Sequence, residues 1–291
     1  MANARQPVTR TAPPPGFQDS HWDDWRLGYE VVADDGYARA FVRERGTCPR
    51  CDGVGRIEIR EQGGATRVGR CRCRKVVDAC AIWNSAEVPA RHAHCTLETF
   101  KAELPGAGPG HSLARAWLKD FDPRKECKGL VLEGEPGRGK THLLCGILRE
   151  LVFRHQVEAQ FIEFSHLLSL MKESFDKHGG APVRLTLLTR TPVLAIDELG
   201  KGRKTDWEIA VIDEIVSRSY NRRNVLLGTT NFAHKPPPRP ASAAGVAHAH
   251  TLAQPGTESL EDRLGERVFS RLREMVTFAA VKGDDFRGAR R

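Results

Sequence analysis

The chain has 291 residues, 40% of them hydrophobic and 28% charged, with a formal net charge of +8. That length accommodates one α/β domain with a small accessory module, and the composition excludes a disordered or collagen-like chain. No apolar run reaches the roughly 18 residues of a membrane span, and the polar, proline-rich start lacks the apolar core of a signal peptide. A cytoplasmic protein without membrane contact is therefore expected, and its positive charge favours an anionic partner, nucleic acid first.

In chain order, residues 1–42 read as a flexible tail rich in proline, with a short helical piece expected within Trp22–Val42. Residues 43–90 form a cysteine unit. Cys48-Pro-Arg-Cys51 is followed, after 19 residues, by Cys71-Arg-Cys73. Clustered cysteines in a reducing compartment are more often metal ligands than disulfides, and four thiolates suit tetrahedral Zn²⁺. Arg56–Arg60 and Arg67–Arg70 flank Gly63-Gly64 and predict a β-hairpin, so a zinc-ribbon-like module is expected. Its second half is C-x-C rather than C-x-x-C, which leaves Cys80 as a substitute ligand. Residues 43–75 hold ten Lys/Arg against four Asp/Glu, a balance suited to nucleic acid. Lys75–Ala86 predicts a helix ended by Pro89, and Leu113–Phe121 another.

From Gly129 onward the rhythm is strand, turn, helix. Strands are expected at Leu130–Leu132, Ala159–Glu163, Val193–Ile196, Val225–Thr229 and Val276–Val281. The alternation predicts an α/β domain over residues 91–291, a parallel sheet with helices on both faces. Lys235–Thr257 is rich in Pro, Ala and His without periodicity and reads as a disordered insertion.

Gly134, Glu135, Pro136, Gly137, Arg138, Gly139, Lys140 and Thr141 match G-x-x-x-x-G-K-[ST] at every fixed position. An apolar strand precedes them, and a helix opening with Thr141 and His142 follows. Glycines let the backbone curl so that its amides face phosphate oxygens, and the helix N-terminus adds positive potential. Lys140 is expected on the β and γ phosphates of ATP, and the Thr141 hydroxyl on Mg²⁺.

The strand Val193–Ile196 runs into Asp197 and Glu198, 57 residues after Lys140. Catalytic groups belong at the carboxyl edge of such a strand. Asp197 is expected to hold Mg²⁺, and Glu198 to act as general base for the attacking water. Val225–Thr229 is expected to lie beside that strand, with Asn231 orienting the water or sensing the γ-phosphate. Leu260–Glu274 predicts one helix carrying Leu260, Leu264, Val268 and Leu272 inward and Arg263, Arg267 and Arg271 outward, both sets at four-residue spacing. One of these arginines is expected to complete the ATP site of a neighbouring copy, which requires head-to-tail self-assembly.

The order Gly134–Thr141, Asp197-Glu198, Thr229-Thr230-Asn231 and Ser270-Arg271-Leu272 resembles an AAA+ ATPase, and more narrowly the DnaC/DnaI helicase-loader and IstB group. Leu97–Phe100, Gly200–Trp207 and the closing Gly283–Arg287 fit the same group. The resemblance spans about residues 88–291. It implies a P-loop ATPase without the C-terminal helical lid, because the sequence stops soon after its last strand. It also implies that Arg271 is the arginine finger, with Arg267 the second candidate. Ser165–His178 is then a helix lining a single-stranded DNA path with Lys172 and Lys177 on phosphates, or a helix packed on the sheet. By the same resemblance the zinc module grips a replicative helicase, although the sequence does not choose between protein and DNA as its target.

The reading is an ATP-dependent helicase loader that binds ATP, single-stranded DNA and a replicative helicase. An IstB-like helper of a DNA transposase shares the ATPase core, but that group resembles it with a helical N-terminus. A zinc-dependent DNA-binding regulator with a nucleotide switch would need neither Glu198 nor Arg271.

Overall fold

The computed structural model describes residues 28–43, 48, 50–60, 64–178, 183–234 and 258–286. The expected tail at residues 1–27 and insertion at 235–257 lie outside them, as does Arg287.

The first described elements are strands, not a helix. β1 (Tyr29–Asp34) and β2 (Tyr37–Val42) pair antiparallel. Asp35 and Gly36 turn between them with φ of 43° and 77°. Two central residues at positive φ match the twist of a tight hairpin, and Asp-Gly is the sequence that accepts it. The helix expected within Trp22–Val42 is therefore corrected over its described part. Tyr29, Val31 and Ala33 alternate with a period of two, and Asp35-Gly36 supplies the turn, which is the pattern of a hairpin and not of a helix.

β3 (Arg56–Arg60) and β4 (Thr66–Arg70) form the second antiparallel hairpin, as expected. α1 (Arg72–Ser85) follows directly. Then come α2 (Gly108–Asp120), β5 (Gly129–Glu133), α3 (Lys140–His155), β6 (Ala159–Glu163), α4 (Phe164–His178) and α5 (Val183–Arg190). β7 (Val193–Asp197), α6 (Asp206–Arg222), β8 (Val225–Thr230), α7 (Leu260–Leu264), α8 (Glu266–Met275) and β9 (Val276–Ala280) complete the order. All five expected core strands are present.

β5 to β9 form one parallel sheet in the order β6-β7-β8-β5-β9. The strand leading into the glycine loop, β5, is thus flanked by β8 and β9, while β7 lies one strand further out. The central strands are buried throughout, as a parallel sheet with helices on both faces requires. On one face α4 to α8 cover the sheet with a core of Leu167, Met171, Leu188, Ile215 and Leu272. On the other face α1, α2 and α3 pack with Leu143, Leu148 and Trp83, and the β1–β2 hairpin joins the same core. Tyr29 stacks on Phe153 of α3 with ring centroids 3.6 Å apart, and Trp83 Nε1 donates to the Ala38 carbonyl at 2.7 Å.

The helix expected over Leu260–Glu274 is two helices. Gly265 separates them with φ 81° and ψ 152°, a conformation that a side chain would strain. The apolar stripe Leu260, Leu264, Val268 and Leu272 stays buried across the break. Of the arginine stripe Arg267 stays outward, with its side chain 75% exposed, but Arg263 does not. Arg263 turns in to donate to the Gly200 carbonyl at 3.0 Å and lies over the Phe232 ring.

Candidate functional site

β5 ends at the sheet's carboxyl edge and passes into the glycine loop. Gly137 and Gly139 have φ of 82° and 79°. A Cβ on Gly137 would strike the Asp285 carboxylate, and one on Gly139 the rings of Phe286 and Phe100. Glycine is therefore required here both by conformation and by close approach. Gly139 caps α3, so Lys140 and Thr141 open that helix at its electropositive end. Lys140 is buried, and its Nζ donates to the carbonyls of Gly134 at 2.7 Å and Glu135 at 2.8 Å.

Three neighbouring strands and one helix bring the remaining residues together. Asp197 ends β7 and is 2% exposed. Its Oδ1 accepts from Thr141 Oγ1 at 2.9 Å and from Thr229 Oγ1 of β8 at 2.6 Å. Burial pushes its carboxyl above the ordinary range, against those two hydrogen bonds. An oxygen-rich pair, hydroxyl and carboxylate, at the end of a phosphate-cradling loop is the donor set that Mg²⁺ takes.

Glu198 follows with φ 57°, held by its amide, which donates to Thr229 Oγ1 at 2.9 Å. A non-glycine residue in this region is uncommon, and the backbone turn lifts the side chain off the strand line. Lys201 Nζ donates to Glu198 Oε2, and that contact holds the ammonium above its ordinary range. Asn231 is exposed at the end of β8.

Lys140, Thr141, Glu198, Thr229 and Asn231 border a cavity of about 600 Å³. Arg91, His92, His94 and Cys95 also line it without a signal in the sequence, and Phe286 joins them from the closing Gly283–Arg287 segment. Phe286 reaches it because its amide donates to the Gly137 carbonyl at 3.0 Å and its ring meets Phe100 edge-on at 5.5 Å. Leu97–Phe100 and the described part of Gly283–Arg287 thus meet over the glycine loop. Arg138 pairs with Glu135 at 2.5 Å beside it.

Arg267 and Arg271 do not border this cavity. Both reach Asp213 of α6, Arg271 Nη1 at 2.8 Å and Arg267 Nε at 3.7 Å. α4 packs Leu167, Leu168 and Met171 against the sheet and leaves Lys172 exposed. Lys177 lies beyond the described side chains.

The four expected metal-binding cysteines converge. Their sulfurs lie within 4.8 Å of one another, with Cys48 to Cys71 at 3.9 Å and Cys51 to Cys73 at 3.5 Å. Tetrahedral Zn²⁺ with Zn–S bonds of about 2.3 Å needs sulfurs about 3.8 Å apart, so the donors fit that ion. Gly55 donates its amide to Cys51 Sγ at 3.2 Å, the kind of outer hydrogen bond that steadies a thiolate. Cys80 is not the substitute ligand. It is buried in the core under the β1–β2 hairpin, where burial raises its thiol to about 11.

Among the described residues no helix is long and apolar enough to cross a membrane. The family model described as IstB-like ATP binding protein matches residues 94–235. The replicative helicase loader DnaC of Escherichia coli (strain K12) is 26% identical over 215 residues, 74% of this chain and 77% of that protein. The phage-like element PBSX protein XkdC of Bacillus subtilis (strain 168) is 26% identical over 217 residues, 71% of this chain and 80% of that one. A crystal structure of the DnaC helicase loader superimposes with a TM-score of 0.53 at 27% identity, covering 66% of this chain and 99% of its own.

Proposed function

Because the chain is a DnaC/IstB-like AAA+ ATPase, we propose that it is an ATP-dependent loader of a replicative helicase, switched by the nucleotide in the cavity beside Lys140. The observation that carries this reading is the Thr141–Asp197 hydrogen bond, 2.9 Å across two separate motifs 56 residues apart. It joins the hydroxyl and carboxylate that Mg²⁺ requires at the end of the phosphate loop.

In this reading the Lys140 ammonium exchanges two loop carbonyls for β and γ phosphate oxygens, and the loop amides take the remaining oxygens. Thr141 and Asp197 are the residues that would hold Mg²⁺, whose charge would offset that developing on those phosphates. Glu198 accepts a proton from the attacking water, and for that it must first part from Lys201. Asn231 stands at the open end of β8 to orient the water. Arg271, with Arg267 as second candidate, serves the site of a neighbouring copy in a head-to-tail assembly. Its reach to Asp213, outside its own cavity, supports a role in trans. The four-cysteine centre holds zinc and carries the N-terminal docking surface. The exposed Lys172 on α4 is placed to meet single-stranded DNA.

Lys140→Ala is expected to abolish ATP binding in a fluorescent-nucleotide titration, and unaltered affinity would refute the assignment. Glu198→Gln is expected to keep ATP binding while turnover falls by roughly 10²–10⁴. Co-purification with replicative helicase supports loading. Retention of a transposase instead would favour the IstB-like reading, which the family model's own description supports.

A further inference from the structure

We propose that His94, Cys95 and His142 form a second transition-metal site, distinct from the four-cysteine centre, on the wall of the nucleotide cavity. One ring nitrogen of each histidine and the Cys95 sulfur lie within 4.8 Å of one another. The site does not depend on how the nucleotide is used, so it stands or falls apart from the loader reading.

The donors suit a borderline ion such as Zn²⁺, for which imidazole nitrogen and thiolate are preferred ligands. Cys95 Sγ lies 3.9 Å from His94 Nε2. A tetrahedral ion with Zn–S of about 2.3 Å and Zn–N of about 2.0–2.1 Å needs about 3.6 Å between those atoms. The gap therefore closes by a small rotation of His94, whose side chain is exposed and has room to turn. Cys95 is buried and fixed, and His142 is half-buried.

The surroundings already set the His142 tautomer that a metal needs. The Thr96 carbonyl lies 2.9 Å from His142 Nε2, and a carbonyl can only accept. His142 therefore carries its proton on Nε2 and keeps the Nδ1 lone pair for an ion, the backbone-anchored histidine typical of metal centres. Thr99 Oγ1 lies 3.1 Å from the same nitrogen and donates to the His94 carbonyl at 2.9 Å, which ties the two histidine segments together. Arg91 Nε donates to His92 Nε2 at 3.0 Å, so His92 Nδ1 bears a proton and faces Cys95 Sγ at 3.8 Å. Binding releases the thiol proton to solvent, and three protein ligands leave a fourth position open to the cavity, as in exchangeable rather than closed sites.

The experiment is a Co²⁺ and Zn²⁺ titration of the chelator-stripped full chain, read by bound equivalents and by the visible Co²⁺ spectrum. Two equivalents are expected for the native protein. One equivalent is lost in Cys95→Ser and in His94→Ala, while the four-thiolate spectrum persists in both. His94→Cys is expected to restore the second equivalent. Because His94 is exposed, its variants guard against a folding defect in Cys95→Ser. A native protein that saturates at one equivalent, or variants that still bind two, would overturn the proposal.

Discussion

Two antiparallel hairpins lie within 45 residues of each other, and different forces hold them. β1–β2 turns Tyr29, Ala38 and Ala40 into the core that also contains Trp83, Leu143 and Phe153. β3–β4 has almost no such face. Its buried cluster is Cys48, Cys51 and Cys71, with only Ile57 and Cys73 against it, and Val68 is 60% exposed. One hairpin is fixed by apolar burial on the ATPase; the other has four converging cysteines in place of an apolar face, and on the proposed zinc reading it would rely on the ion they hold. Proximity in sequence is therefore a poor guide to which segments share a core.

The sharpest way to break this comparison is Trp83→Ala. The side chain is fully buried between the β1–β2 hairpin and α3, and its indole holds the Ala38 carbonyl. Removing a buried tryptophan costs about 3–5 kcal/mol. For a chain of this size that lowers the melting temperature by roughly 10 °C. The loss should appear in the main transition followed by circular dichroism, because the hairpin shares the sheet's core. A normal main transition, with only a small early one, would show that the hairpin is an appendage.

A smaller and local effect is expected from Cys48→Ser combined with Cys51→Ser. Amides of Arg56–Arg60 and Thr66–Arg70 should lose hydrogen-exchange protection, while those of Tyr29–Val42 keep theirs. The main thermal transition should move by no more than about 2 °C, since few apolar contacts are lost. Metal analysis that finds no zinc in the native protein would remove the explanation for the second hairpin altogether.

The contrast also accounts for what the sequence made legible. Strands β5 and β7 are continuous apolar runs ending in an acid, and β6, β8 and β9 are short, mostly apolar segments following helices, a local signal that survives folding unchanged. The glycine loop and Asp197-Glu198 are equally local. The β1–β2 hairpin carries its own local signal in Asp35-Gly36 and a period of two, but the polar, proline-rich stretch before it masks that signal by continuing the composition of a tail. The break at Gly265 is subtler, because the four-residue apolar spacing runs straight through it and only the glycine marks it. The rest of the cavity's lining was out of reach. Arg91, His92 and His94 acquire their place from Glu163, Phe161 and His142, and Phe286 from Phe100, a contact 186 residues apart, and no window of sequence contains these pairs. Arg263 fails for the same reason: its partners, the carbonyls of Gly200 and Gly202, come from a distant turn.

The mildest test concerns the single phenol that joins the first hairpin to α3. Burial raises the Tyr29 hydroxyl from 10.0 to about 12, outweighing the Arg149 guanidinium, whose Nε donates to that oxygen at 3.2 Å. The unfolded chain gives up this proton near pH 10 and the folded chain only near 12. Between those values the folded state binds more protons, so stability falls as pH rises, and the contribution is intact below pH 10. Tyr29→Phe keeps the ring on Phe153 and removes the titration. At neutral pH it should cost about 1 kcal/mol for the lost hydrogen bond. In melts taken across the alkaline range, the native protein should lose its advantage over the variant as pH climbs. Parallel pH profiles for the two proteins would mean that the Tyr29 phenol ionises as freely as an exposed one, and that the hairpin is not sealed onto the ATPase core.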